Sequence, residues 1–229
     1  NDLINIENNF LKDLNGTIIR DENYYENLFK EVESEDGHIY IHEDELKDGY
    51  IIYFINNENI FVRELYYNNL NALKGILRFL YNHNTQCKKV TISSPIDDKI
   101  RFILSNPKTA NIKLKPFMMG RVINFKKYLE SLNIKSNENL SINISVKDDF
   151  IKENNKIFKI HLNNNKLNVE SGDYIPDVEF NINTITQLAF SYINGKEAYL
   201  LNDLKENKKV IEFLDLIFVK KENYVNEYI

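Results

Sequence analysis

Several groups of residues in this chain have types and spacings that could do chemistry. Cys87 follows His83 by four positions and precedes Asp97-Asp98, the ingredients of a thiol nucleophile with a base and an orienting acid. No glycine turn accompanies them to build an oxyanion pocket, so the expectation is a buried or half-buried spectator thiol. His38, Tyr40 and His42 alternate and would share one strand face. A metal there would need a third ligand, and Glu43 points to the opposite face, so a solvated strand face is the better reading and no metal site is assigned. His83 falls near the end of a helix, where a cation meets the C-terminal dipole favourably. Asp97 and Asp98 read as part of a helix start, and Glu43, Asp44 and Glu45 as a solvated acidic hairpin tip.

Bulk composition narrows the function classes. The 229 residues are 43% hydrophobic and 12% aromatic, enough for real cores. The net charge of −5 divides as −4 over residues 1–115 (14 basic against 18 acidic) and −1 over 116–229 (15 against 16). Neither half has the basic excess that a phosphate backbone demands, so nucleic acid is not an expected partner. A single cysteine excludes an internal disulfide and fits a reducing, cytoplasmic setting. No apolar run approaches the roughly 20 residues of a membrane span, and no signal peptide opens the chain. It begins Asn1-Asp2-Leu3 without an initiator methionine, which points to processing, an artificial boundary or a fragment.

The elements that must position these residues follow from periodicity. Leu3–Leu14 reads as a helix ended by Asn15-Gly16, and a second, about Glu22–Val32, is capped by Asp21. Strands His38–Glu43, Tyr50–Ile55 and Ile60–Leu65 form an antiparallel meander with turns rich in Asn, Asp and Gly. Leu70, Leu73, Leu77 and Leu80 stripe a helix over Leu70–Tyr81, followed by a strand at Lys88–Ser93. Ser94-Pro95-Ile96-Asp97 then looks like a helix start, running to about Leu104. Phe117–Ile123 reads as a strand leading into a helix, Asn124–Leu132, with Asn124 as cap. Phe117, Met118 and Met119 are expected to pack between domains.

Beyond that hinge the pattern changes. Ile142/Ile144/Val146, Phe158/Ile160/Leu162, Leu167/Val169 and Val178/Phe180/Ile182 alternate as a four-stranded meander with one wet face. A helix over about Thr184–Ile193 ends at Asn194-Gly195. The last helix starts at Asp203, with Glu206 placed for a capping box, and buries Val210, Phe213, Leu214 and Ile217. The tail Val219–Ile229 carries Tyr224, Val225, Tyr228 and Ile229, too apolar to hang free, and is expected to dock.

The first half, two helices and then β-β-β-α-β-α, resembles the GNAT acetyltransferase fold. In that fold the loop between the central strand and its helix, roughly Gln/Arg-x-x-Gly-x-Gly/Ala, cradles the pyrophosphate of acetyl-CoA. The matching junction here is Glu64-Leu65-Tyr66-Tyr67-Asn68-Asn69-Leu70, which has no glycine and no basic residue. Its tyrosines and asparagines would block the approach of a diphosphate, Glu64 would repel it, and Gly75 comes a turn too late. The second half resembles a sterol-carrier-protein-like domain, with DVEFNINTITQLAFSYING (Asp177 to Gly195) as the matching segment.

Both halves, with the hinge MMGRVIN between them, resemble the bacterial Eis-like (enhanced intracellular survival) N-acetyltransferases. That resemblance implies an α+β chain: a GNAT-like domain without an acetyl-CoA site at 1–115, then a sterol-carrier-protein-like domain at 116–229. It further implies a C-terminal two-thirds whose partner is a missing N-terminal catalytic GNAT domain. Acetyl-CoA is then expected for the parent enzyme and no cofactor for this chain, which alone would be inactive. The resemblance also implies that the base accepting the amine's proton is the terminal carboxylate of Ile229, with Tyr228 beside it at the substrate. An α-carboxyl titrates near ~3.5 in water, so such a base would need desolvation. The alternatives from other classes are a module that binds a lipid or other apolar ligand in the second half, and a docking or homo-oligomerisation module.

Overall fold

The structure, a computed structural model, describes residues 1–115 and 118–227. These fall into two compact units, 1–115 with 224–227, and 118–223.

The first unit opens with α1 (Asp2–Leu11) and α2 (Glu22–Ser34). Between them Gly16 takes a positive φ of 78°, the conformation that stops the chain running on as helix. Asp21 caps α2 as expected, accepting from the Tyr24 amide at 2.9 Å. Next come β1 (His38–Glu43), β2 (Lys47–Asn56) and β3 (Asn59–Tyr67), an antiparallel meander as the sequence predicts. Asn57 and Glu58, at φ 45° and 63°, make the two-residue β2–β3 turn, whose handedness matches the twist of the strands. α3 (Leu70–Tyr81) carries the chain across to β4 (Lys89–Ile92), which pairs parallel to β3. The sheet order is β1-β2-β3-β4.

Each sheet face has its own core. Tyr50, Ile52 and Tyr66 pack with Ile6, Tyr25, Leu28 and Val32 of α1 and α2. Ile51, Ile60, Val62 and Leu65 pack with Leu73, Ile76 and Leu80 of α3. The register slips between Ile52↔Glu64 and Tyr53↔Val62, leaving Arg63 as an extra residue in β3. This bulge lets Arg63 reach Glu31 of α2 at 2.9 Å while Glu64 also faces the α1/α2 side. The helix expected from Ser94 is only one turn, α4 (Ile100–Ile103). The Asp98 amide closes a turn on Pro95 O, Asp98 Oδ1 accepts from the Ile100 amide at 2.7 Å, and the helix starts after Lys99, five residues later than Ser94.

The second unit contains α5 (Phe125–Ser131), β5 (Leu140–Lys147), β6 (Ile157–Asn163), β7 (Lys166–Ser171), β8 (Val178–Asn181), α6 (Ile182–Ala189), α7 (Gly195–Leu201) and α8 (Lys208–Ile217). Its sheet order is β7-β6-β5-β8, with β8 parallel to β5. The expected four-stranded meander therefore holds only for β5–β7; the fourth strand crosses to the far edge. The inward faces of the strands meet α5, α6 and α8 in one core that includes Phe125, Ile144, Ile160, Phe180, Leu188 and Phe213.

Three local expectations are corrected here. No strand forms over 118–123, and Phe117 lies outside the described residues. That segment is pinned by side chains instead: Arg121 pairs with Asp148, the Val122 amide donates to Thr186 Oγ1, and Gly120 leaves room for the Phe190 ring. Met118 and Met119 are 56% and 102% exposed. α6 stops at Ala189, short of the expected Asn194-Gly195, and that pair starts α7 instead: Asn194 and Glu197 form a capping box. A Cβ on Gly195 would lie 2.9 Å from Ile211 O, so only glycine lets α7 and α8 approach. The last helix begins at Lys208 with Asn207 as its cap, because Asp203 takes a positive φ of 52° that no helix start tolerates.

Candidate functional site

The β3–α3 junction is where a GNAT fold would hold a diphosphate, and its geometry is closed by its own residues. Asn69 is the N-cap of α3; its Oδ1 accepts from the Ala72 amide at 2.9 Å, using one of the donors an anion would need. Its Nδ2 donates to Asp48 Oδ2 at 2.6 Å, and the Asn68 amide donates to Asp48 O at 2.8 Å. His42 Nδ1 lies 2.7 Å from Asp48 Oδ1. Burial pushes the Asp48 carboxyl up, but the His42 and Asn69 hydrogen bonds outweigh it and hold it below the usual carboxylate range. A fixed negative charge thus already occupies the positive end of the helix. The tyrosines point inward: Tyr66 is 1% exposed against Tyr50 and Phe10, and the Tyr67 hydroxyl donates to Asp98 at 3.2 Å. The residues present do not fit the diphosphate of acetyl-CoA.

Asp48, not Glu64, supplies the repulsion. Glu64 is turned to the other sheet face, into a buried cluster around Arg20. Arg20 Nη1 meets Glu7 Oε1 at 3.0 Å and Glu64 Oε1 at 2.9 Å. Its Nε and Nη2 meet Glu227 Oε1 at 3.1 and 2.9 Å, and Nη2 also donates to the Asn226 carbonyl at 2.7 Å. A ring of hydroxyls closes the cluster. Tyr25 donates to Glu7 Oε2 at 2.6 Å, Tyr50 donates to Glu64 Oε2 at 3.1 Å, and the two hydroxyls lie 3.0 Å apart. Burial raises the carboxyls of Glu7 and Glu64 despite the Arg20 charge beside them. Burial and Glu64 push Tyr50 far above the ordinary phenol range, so it stays a donor. Beside the cluster is a small half-open pocket of about 10 Å³, lined by residues that include Glu7, Thr17, Arg20, Tyr66 and Tyr224, room for about one water. Tyr224, whose buried hydroxyl has no hydrogen-bond partner among the described residues, is one of the residues around it.

The other candidates find ordinary roles. The face of His38, Tyr40 and His42 is solvated only at one end: His38 is exposed, while Tyr40 and His42 are half-buried, Tyr40 stacking on Phe79 at 3.9 Å and 18° and His42 pairing with Asp48. Among the described residues no group of three or more His, Cys, Asp or Glu could hold a metal. His83 Nδ1 sits 3.1 Å from Phe79 O at the end of α3. Cys87 is buried at 8% in the α3-side core. Asp44 of the acidic tip accepts from Asn71 at 3.1 Å. Ile229 and Tyr228 lie outside the described residues. The tail preceding them docks on the first unit: the Tyr224 amide donates to Asn15 O at 3.0 Å, and Asn226 Nδ2 donates to Arg63 O at 3.0 Å. Sequence reading anticipated docking but missed the Arg20 cluster. The signal was there in Arg63-Glu64, two charges inside an otherwise apolar strand.

Gly75 has a use that sequence spacing did not suggest. A Cβ there would lie 2.2 Å from His42 Cδ2, so the glycine seats the imidazole that pairs with Asp48. Glycine to alanine inside a helix ordinarily stabilises by about 0.5–1 kcal/mol. Gly75→Ala is expected to destabilise instead, by about 1–3 kcal/mol from overpacking. Thermal melts of Gly75→Ala, His42→Ala and the double variant check this; the double variant should recover most of the loss.

Comparison with known proteins agrees with this architecture. Residues 16–122 match the acetyltransferase (GNAT) domain family and residues 125–226 the sterol carrier protein domain family. The chain is similar to a probable N-acyltransferase structure from Enterococcus faecalis V583, with a TM-score of 0.80 and 21% identity over 98% of this chain and 58% of that one. It is similar to a GCN5-related N-acetyltransferase from Anabaena variabilis (TM-score 0.77, 19% identity, 99% of this chain and 59% of that one). Eis1 from Mycobacterium abscessus is also similar (TM-score 0.63, 15% identity, 93% and 56%). At these identities the likeness is one of fold. The chain thus spans under two thirds of the length of each of these structures. No curated protein matches it by sequence. The chain carries a GNAT acetyltransferase domain followed by a sterol-carrier-protein-like domain, in mixed α/β architecture. Among the described residues no helix is long and apolar enough to cross a membrane.

Proposed function

We propose that this chain, a GNAT domain followed by a sterol-carrier-protein-like domain, serves an Eis-like N-acetyltransferase acting on amines. Its part is scaffold and acceptor-side wall, with acetyl-CoA held by a different GNAT domain. One observation carries the reading: the start of α3 is capped by Asn69 and faced by the Asp48 carboxylate, so the anion site of this GNAT domain is filled from within. The similarity in fold to N-acetyltransferases of which this chain spans 56–59% supports the second half of the reading, since the remainder of such a protein has length for a further domain.

The test is calorimetric titration of the chain with acetyl-CoA, paired with an assay for thiol release in the presence of amine acceptors. No saturable heat and no release are expected. Saturable micromolar binding would overturn the reading of the β3–α3 junction.

A further inference from the structure

We propose that Arg20 and Tyr24 are positioning residues that clamp the tail 224–227 onto the GNAT unit, with Glu227 as the detachable jaw. The proposal deepens the scaffold role above and rests on it only for its purpose, not for its geometry. A guanidinium buried to 2% side-chain exposure needs a counter-charge, and Glu7 and Glu64 already supply two. Glu227 is a third, brought from 207 residues away. It adds negative charge where burial already works against Glu7 and Glu64, so neutralising Arg20 is not what explains it. What it does is hold the tail.

The contacts are those of a clamp. Glu227 Oε1 takes two donors from Arg20, at 3.1 and 2.9 Å, and Oε2 takes the Tyr24 hydroxyl at 2.7 Å. Both oxygens of one carboxylate are thereby held, Oε1 by two charge-assisted bonds from Arg20 and Oε2 by the Tyr24 hydroxyl. Arg20 lies over the Tyr24 ring, 4.6 Å from its centroid, so the two residues that hold Glu227 brace each other. Arg20 Nη2 grips the Asn226 carbonyl as well, which ties main chain and side chain to the same cation. At the near end the Tyr224 amide donates to Asn15 O, the carbonyl just before the Gly16 turn. The tail has no helix or strand of its own over 224–227, so its order depends on such contacts and on the burial of Tyr224.

The experiment is amide hydrogen exchange on the whole chain for wild type, Glu227→Ala, Tyr24→Phe and Glu227→Gln, read separately at 224–227 and at α1, β2 and β3. Removing Glu227 leaves Arg20 paired with Glu7 and Glu64, so the fold should persist. Protection at 224–227 should fall about tenfold to a hundredfold, the size of a lost charge-assisted hydrogen bond, with the core amides unchanged. Tyr24→Phe should lose part of that, and Glu227→Gln should restore part, because its amide oxygen still accepts. Unchanged tail protection in Glu227→Ala, or loss shared equally by the core, would overturn the clamp. The readout needs no acetyl-CoA. Binding of acetyl-CoA to a chain whose tail still loosens would therefore sink the scaffold reading and leave the clamp standing.

Discussion

Arg20→Met is expected to destabilise the first unit by about 3–5 kcal/mol at neutral pH, the usual cost of stranding buried charge. It leaves Glu7 and Glu64, 3% and 1% exposed, with hydroxyl donors but without their guanidinium. Both carboxyls are already raised by burial, Arg20 being the strongest influence lowering them. An acid whose folded pKa lies above its unfolded value penalises the fold once it is ionised. That penalty is fully present above the folded pKa and vanishes below the unfolded one, about 4.3 for glutamate. The Arg20→Met defect should therefore shrink as pH falls toward that value. Adding Glu7→Gln and Glu64→Gln should recover much of it at neutral pH. Urea melts of the single and triple variants, at neutral pH and near pH 4, check both statements.

Asp148→Ala should cost the second unit about 2–4 kcal/mol, through orphaned buried donors. Its fully buried carboxylate accepts from the Phe150 and Ile151 amides at 3.0 and 2.9 Å and from Asn154 Nδ2 at 3.0 Å, and pairs with Arg121. Asn154 in turn accepts from the Phe125 amide and donates to Ile123 O, both at 3.0 Å. The β5–β6 connection is thus fastened to the start of α5 through one carboxylate. Burial pushes Asp148 up, but the Asn154 amide, the two backbone N–H groups and Arg121 outweigh it, and the carboxyl stays below the usual range. The sign is opposite to that of Glu7 and Glu64. This stabilisation is complete above the unfolded aspartate pKa of about 3.9 and is lost as pH falls through the lower folded value. Acid should loosen amides at 148–156 in wild type, and Asp148→Ala should show that looseness already at neutral pH.

What the sequence disclosed and what it hid divide along physical lines. Periodicity marked His38–Glu43 and Leu70–Tyr81 with their observed ends, and short-range capping by Asp21 and Asn124 was equally legible. These depend on neighbours within four residues. The parallel placement of β8 beside β5 depends on a pairing 34 residues apart, which alternation alone does not encode. Asn194-Gly195 reads as a helix stop because Asn and Gly often end helices, but Asn also caps helix starts, and here the capping box with Glu197 makes it one. At the candidate site the lack of glycine between Leu65 and Leu70 was visible, whereas the agent that closes it was not. Asp48 comes from the neighbouring strand, and its partner His42 from a third. Glu64 was expected to repel a diphosphate at the junction, but the Arg63 bulge in β3 accompanies its turning to the α1/α2 side and Arg20.

The central claim is that the N-terminal turn of α3 is closed to a diphosphate. Titrating coenzyme A into ¹⁵N-labelled chain while following the amides of Leu70, Asn71, Ala72 and Leu73 measures this at the atoms concerned. The account predicts that these resonances stay where they are up to millimolar ligand. Saturable shifts concentrated on those four amides, with Asn69 Nδ2 moving alongside them, would contradict it.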